Sequence, residues 1–147
     1  MKTKKILATV TVFIFILLAA DCIASERLAV AVPTANIRSG PGISYDLLWQ
    51  VERYYPLVLI TKEKGWYLCA DYAGDRGWVH KELVDTLQSV VTISNNINIR
   101  SGPGLDHPPV FVVEEGVPFR VIGTESNWLH VQHADGDTGW IRNDMVW

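Results

Sequence analysis

The chain has 147 residues, 48% of them hydrophobic and 10% aromatic, with 13 basic and 16 acidic side chains and a net charge of −3. That length holds one ordinary domain or two very small ones, and its apolar content excludes a disordered chain, which lacks the surface to offset ordering entropy. The mild acidity speaks against a nucleic-acid binder, and two cysteines are too few for a disulfide-stapled miniprotein.

The first element is a leader. Met1-Lys2-Thr3-Lys4-Lys5 precedes an apolar run from Ile6 to Ala20 broken only by Thr9 and Thr11. A basic start, an apolar stretch and small residues after it predict a secretory signal peptide over residues 1–25, cleaved near Ala24 or Ser25. The run is shorter than the roughly 20 residues of a spanning helix. Cys22 is a poor lipidation site because Asp21 stands where a small residue is needed. Cleavage removes Lys2, Lys4, Lys5 and Asp21, leaving ten basic and fifteen acidic residues, a net charge of −5. The mature chain is therefore expected in the periplasm or outside the cell, at the envelope, without membrane association and without charge attraction to anionic polymers as its main driving force.

The rest is a repeat. Asn36-Ile37-Arg38-Ser39-Gly40-Pro41-Gly42 returns as Asn98-Ile99-Arg100-Ser101-Gly102-Pro103-Gly104, an offset of 62 residues that holds without a gap to the end. Pro56 maps to Pro118, Trp66 to Trp128, Gly74-Asp75 to Gly136-Asp137, Gly77-Trp78 to Gly139-Trp140 and Val84 to Val146. Two homologous units follow, residues 27–85 and 88–147, each near the lower size limit for a self-sufficient core.

Each unit reads as short strands punctuated by Gly, Pro, Asn and Asp. In the first, strands are expected at Leu28–Val32, Asn36–Arg38, Leu47–Val51, Leu57–Thr61, Trp66–Ala70 and Gly77–His80. In the second they are expected at Val91–Ser94, Asn98–Arg100, Val110–Val113, Phe119–Gly123, Trp128–Gln132 and Gly139–Arg142. Lys81–Val84 and Asn143–Val146 read as single tight helical turns before a last strand. Tyr72-Ala73-Gly74-Asp75 and Ala134-Asp135-Gly136-Asp137 read as hairpin tips. Asp106-His107-Pro108-Pro109 is stiff and cannot donate to a ladder, which places it at an edge.

The repeated N-I-R-S-G-P-G, the Gly/Asn-Trp strand, the Gly-Asp turn and the Gly-Trp-Val/Ile strand resemble bacterial SH3-like domains, twice over nearly the whole mature chain. The resemblance implies an all-β protein of two tandem small SH3-like β-barrels. It implies a binding or targeting module outside the cytoplasm, with cell-wall peptide or glycopeptide as partner. A protein–protein adaptor or accessory subunit of an envelope complex is the alternative.

No catalytic group, metal site or cofactor is expected. Cys69 falls on the register of Val131 and reads as a small core residue. His130 and His133 lack a partner cluster at zinc spacing. Ser39 and Ser101 have no nearby base. The candidate binding residues are Arg38 and Arg100, whose planar forks suit either loop carbonyls or a ligand carboxylate, together with Tyr45, Tyr54, Tyr55 and Tyr72. Those tyrosines have His107, Gly116, Val117 and Ala134 as counterparts, so they predict a tyrosine-rich binding face peculiar to the first unit. Trp147 is expected to pack on the last barrel edge.

Overall fold

The computed structural model describes residues 25–147. All of the leader but Ser25 lies outside them.

The first unit has strands β1 (Arg27–Val30), β2 (Thr34–Arg38), β3 (Leu47–Glu52), β4 (Pro56–Glu63), β5 (Trp66–Ala70), β6 (Arg76–His80) and β7 (Val84–Asp85). They form one sheet in the order β3-β2-β6-β5-β4-β1-β7. The second has β8 (Ser89–Val91), β9 (Ile97–Arg100), β10 (Pro109–Val113), β11 (Pro118–Glu125), β12 (Trp128–Gln132) and β13 (Thr138–Arg142), in the order β10-β9-β13-β12-β11-β8. Single 3₁₀ turns occupy Lys81–Leu83 and Asn143–Met145. Among the described residues no helix is long and apolar enough to cross a membrane.

The all-β class is as expected, but the sheets are not closed into barrels. After β3 the chain turns through Tyr54, at φ 71°, instead of extending a ladder to β1. Only the Tyr54 N–H to Val30 O bond (2.8 Å) and the Val30 N–H to Tyr55 O bond (3.0 Å) tie that turn to β1. The second unit repeats this with Gly116 N–H to Thr92 O (2.9 Å) and Thr92 N–H to Val117 O (3.1 Å).

Alternate residues of each sheet face one core. Val30, Ile37, Leu57, Cys69 and Val79 are buried in the first unit, and Ile99, Phe119, Val131 and Ile141 in the second. Cys69 and Val131 occupy equivalent buried places, with Cys69 only 2% exposed. Burial, then the charge of Glu26, pushes the Cys69 thiol up to about 12. A thiol pKa raised on folding adds stability that is whole below the unfolded value, about 8.5, and disappears as pH climbs toward the folded one. Burial raises the Tyr55 hydroxyl in the same direction. The first unit is therefore expected to lose stability between about pH 9 and pH 12, and Cys69→Val to reduce that loss; denaturant titrations across this range read it.

The strand expected at Val91–Ser94 ends earlier, at Val91. Thr92 is fully buried where the first unit has Val30, and its hydroxyl donates to Glu114 O (2.7 Å) and accepts from Val117 N–H (2.9 Å). That demand takes Thr92 out of the ladder and pins the β10–β11 turn. Thr92→Val keeps the shape and orphans both backbone groups, so a loss of about 1–3 kcal/mol is expected in denaturant unfolding.

The turn that Thr92 pins reaches the first unit. Tyr72 Oη donates to Glu115 Oε1 (3.0 Å), and the Arg120 guanidinium lies 5.9 Å from the Tyr54 ring centroid. Trp147 pairs with Val91 through its backbone on both sides (2.9 and 3.1 Å). Its ring lies 4.1 Å beneath the Arg27 guanidinium of the first unit, a cation–π contact between units.

Candidate functional site: twin grooves

The N-I-R segment builds one groove per unit. In β2, Ile37 points inward and is buried, which leaves Asn36 and Arg38 on the outer face, since side chains alternate along a strand. Asn98, Ile99 and Arg100 repeat this in β9. Opposite Ile37 stands Gly77, and a side chain there would overlap the Ile37 Cγ2 and approach Trp49 Cη2 to 3.3 Å. The isoleucine of one motif and the glycine of the other are thus a packed pair, and the two recur together.

The Gly-Pro-Gly loop is held from within. Arg38 Nη1 donates to Tyr45 O (2.9 Å), and Arg100 Nη1 donates to His107 O (2.8 Å). The Tyr45 ring lies so close over Gly40 that no Cβ would fit, and the His107 ring does the same over Gly102. A flat ring is what this loop requires, which is why Tyr45 and His107 exchange. The braced loop holds Ile43 and Leu105 outward, 83% and 68% exposed.

The first groove, about 350 Å³, is lined by Asn36, Arg38, Ile43, Trp66, His80 and Leu83. The second, about 290 Å³, includes Asn98, Arg100, Leu105, Trp128, Arg142 and Met145 among its lining residues. Each of these stands 62 residues from its counterpart, so the grooves are one design made twice. Trp66 and His80 meet edge to face, centroids 5.1 Å apart. Arg142 is tied by its Nε to Asp144 Oδ1 (2.6 Å), and that bond raises its pKa.

The arrangement offers a guanidinium, a primary amide, an indole and an exposed aliphatic tip in one recess. One Nη1 donation leaves most of the five guanidinium N–H donors free for a carboxylate. The indole supplies a flat apolar wall, and the amide can both donate to and accept from a peptide group. A locally basic groove in an acidic chain favours an anionic group.

Of the residues singled out from the sequence, Arg38 and Arg100 line these grooves, and Tyr45 braces the loop above the first. Tyr54, Tyr55 and Tyr72 gather elsewhere, at the junction of the units. Sequence reasoning missed Asn36, Asn98, Ile43, Leu105, Trp66 and Trp128 as groove residues. The signal was present in the repeat: an asparagine kept on the outer face, and an aliphatic residue kept right after Gly-Pro-Gly.

The family model described as bacterial SH3 domain matches residues 31–86 and again residues 94–147. Among curated proteins the chain is 25% identical over 134 residues to the putative N-acetylmuramoyl-L-alanine amidase YrvJ of Bacillus subtilis, covering 84% of this chain and 26% of that protein. It is 35% identical over 52 residues to the probable cell wall amidase LytH of Staphylococcus epidermidis, covering 35% of this chain and 18% of that protein. Among solved structures, NlpC1 from Trichomonas vaginalis aligns over 91% of this chain and 50% of its own, at 13% identity and a TM-score of 0.39. The chain spans about a quarter or less of the length of these curated relatives.

Proposed function

Because the chain belongs to the bacterial SH3 domain family, matched across both of its units, we propose that it is an exported, non-catalytic binding protein whose twin grooves take cell-wall peptide or glycopeptide. The observation that carries this reading is the duplicated recess with Arg38 or Arg100 set beside a tryptophan and an asparagine. A wall peptide has carboxylates for the guanidinium, amides for the asparagine, and sugar or aliphatic faces for the indole. The names of the relatives agree, since they are amidases associated with the cell wall.

A binding role without catalysis is supported by the chain's thiol and histidines. Cys69 is buried and its thiol is held protonated, so it lacks the thiolate and access that a nucleophile needs. His80 faces Trp66, His130 stacks on Trp140 at 4.7 Å and His133 pairs with Asp135 at 2.9 Å; each ring has a structural neighbour.

An envelope adaptor would use another surface, the edge strand β10, where Val110 and Val112 are 52% and 55% exposed. An uncovered apolar edge can take up a partner strand. Sedimentation with purified peptidoglycan sacculi separates the two functions. Groove binding predicts pelleting that survives high salt; an adaptor predicts none, and a protein cross-linked through β10.

A further inference from the structure

The 62-residue repeat applies to a second pair of clefts, and only one of them has a neighbour in it. In the first unit a cleft of about 450 Å³ is lined by Trp49, Glu52, Tyr55 and Asp75 and bounded on its far side by Gly116 and Pro118 of the second unit. The β10–β11 turn of one unit thus sits against the cleft of the other, with Glu115 bonded to Tyr72 at its rim. The second unit has the same cleft, about 400 Å³, in which Phe111, Glu114, Val117 and Asp137 stand where Trp49, Glu52, Tyr55 and Asp75 do. No turn bounds it among the described residues, and Val112 in its wall is left 55% exposed.

The chain itself contains the turn that matches. Residues 53–56, Arg53-Tyr54-Tyr55-Pro56, are the repeat counterparts of Glu115-Gly116-Val117-Pro118. The charges of the pair are exchanged. Where Tyr72 donates to Glu115 in the first cleft, the second offers the carboxylates of Asp135, Asp137 and Glu114 beside a single histidine, His133. The corresponding turn residue is the cation Arg53, whose guanidinium makes no hydrogen bond or ion pair among the described residues. A turn like Glu115's own would be repelled from this acidic cleft, whereas Arg53 is attracted to it.

We propose that the second unit's cleft seats the Arg53–Pro56 turn of another copy of the chain, in the geometry the two units already use within one copy. The contact is head-to-tail: the donor surface is on the first unit and the acceptor on the second. Each copy then leaves one of each free, so association continues into short linear assemblies instead of closing as a symmetric dimer. A single turn in a small cleft is a weak interface, with a dissociation constant on the order of 100 µM.

Sedimentation velocity of the full chain over a concentration series tests this. The average mass should rise with concentration and fall as salt is added, because the charges are solvent-accessible. Arg53→Glu alone, or Asp137→Arg alone, should weaken self-association about tenfold or more. Mixing the two variants should restore it, and as a one-to-one complex only, since an acidic turn now meets a basic cleft and the remaining ends repel. Glu114→Arg replaces Asp137→Arg if the latter melts early. A wild-type chain monomeric throughout would overturn the proposal, as would self-association unaffected by Arg53→Glu, or variants that fail to pair when mixed.

Discussion

Gly139→Val is expected to unfold the second unit at ordinary temperature. A Cβ at Gly139 would overlap the Ile99 Cγ2 and stand 3.0 Å from the Arg100 carbonyl oxygen. The oxygen belongs to backbone and cannot swing away, and Ile99 is fully buried. Overpacking of this kind costs about 3 kcal/mol or more when the neighbour cannot yield. A unit of this size holds only about 3–9 kcal/mol in all. The affected strands also meet weakly, since β9 and β13 share one register pair, Arg100 with Trp140. Loss of one of two unfolding transitions in calorimetry is the expected outcome. Ile99→Ala combined with Gly139→Ala should recover part of the loss relative to Gly139→Ala alone, because the first change vacates the space the second needs. Additive losses would show that the two residues are not a packed pair.

The second large effect is on binding. Ile43→Asp together with Leu105→Asp should lower wall binding about tenfold or more, while leaving stability within about 0.5 kcal/mol. Both side chains project into solvent on loops held by Arg38 and Arg100, so their replacement removes no core contact. Each new carboxylate would sit in the groove beside the guanidinium, where it competes with a ligand carboxylate and repels it. Unchanged pelleting with sacculi by this folded double variant would remove the grooves from the binding function.

Much of this was legible in the sequence because the chain states its pattern twice. The alternation in Asn36-Ile37-Arg38 and Asn98-Ile99-Arg100 shows which residues enter the core, and the register of Cys69 with Val131 places the thiol. The open sheets were not legible. Closure depends on whether a turn such as 52–55 continues a ladder, and Tyr54 adopts positive φ where the second unit has Gly116; residue type alone favours the glycine.

The first unit's tyrosines show a different limit. Their absence from the second unit marks them as unneeded by the fold, which is sound for Tyr72 and Tyr54, but it does not tell a ligand face from a junction between units. Tyr72 meets Glu115 and Tyr54 approaches Arg120, contacts 43 and 66 residues away along the chain that no local pattern encodes. Tyr45 illustrates the converse. Its exchange with His107 looked like freedom, yet both rings cover a glycine of the same loop. Conversely, Trp66 and Trp128 were read as packing residues, because a recurring aromatic is the ordinary signature of a core. Their groove-facing sides became visible only with the neighbouring loop in place.

The central claim is that one duplicated groove, used twice, is the ligand site. The most direct measurement is a titration of the isotopically labelled chain with a soluble wall peptide, followed by the backbone amide and indole N–H resonances. Perturbations should cluster at Arg38, Ile43 and Trp66 and, in parallel, at Arg100, Leu105 and Trp128. Perturbations confined to Tyr54, Tyr55 and Tyr72, or none at saturating peptide, would contradict it.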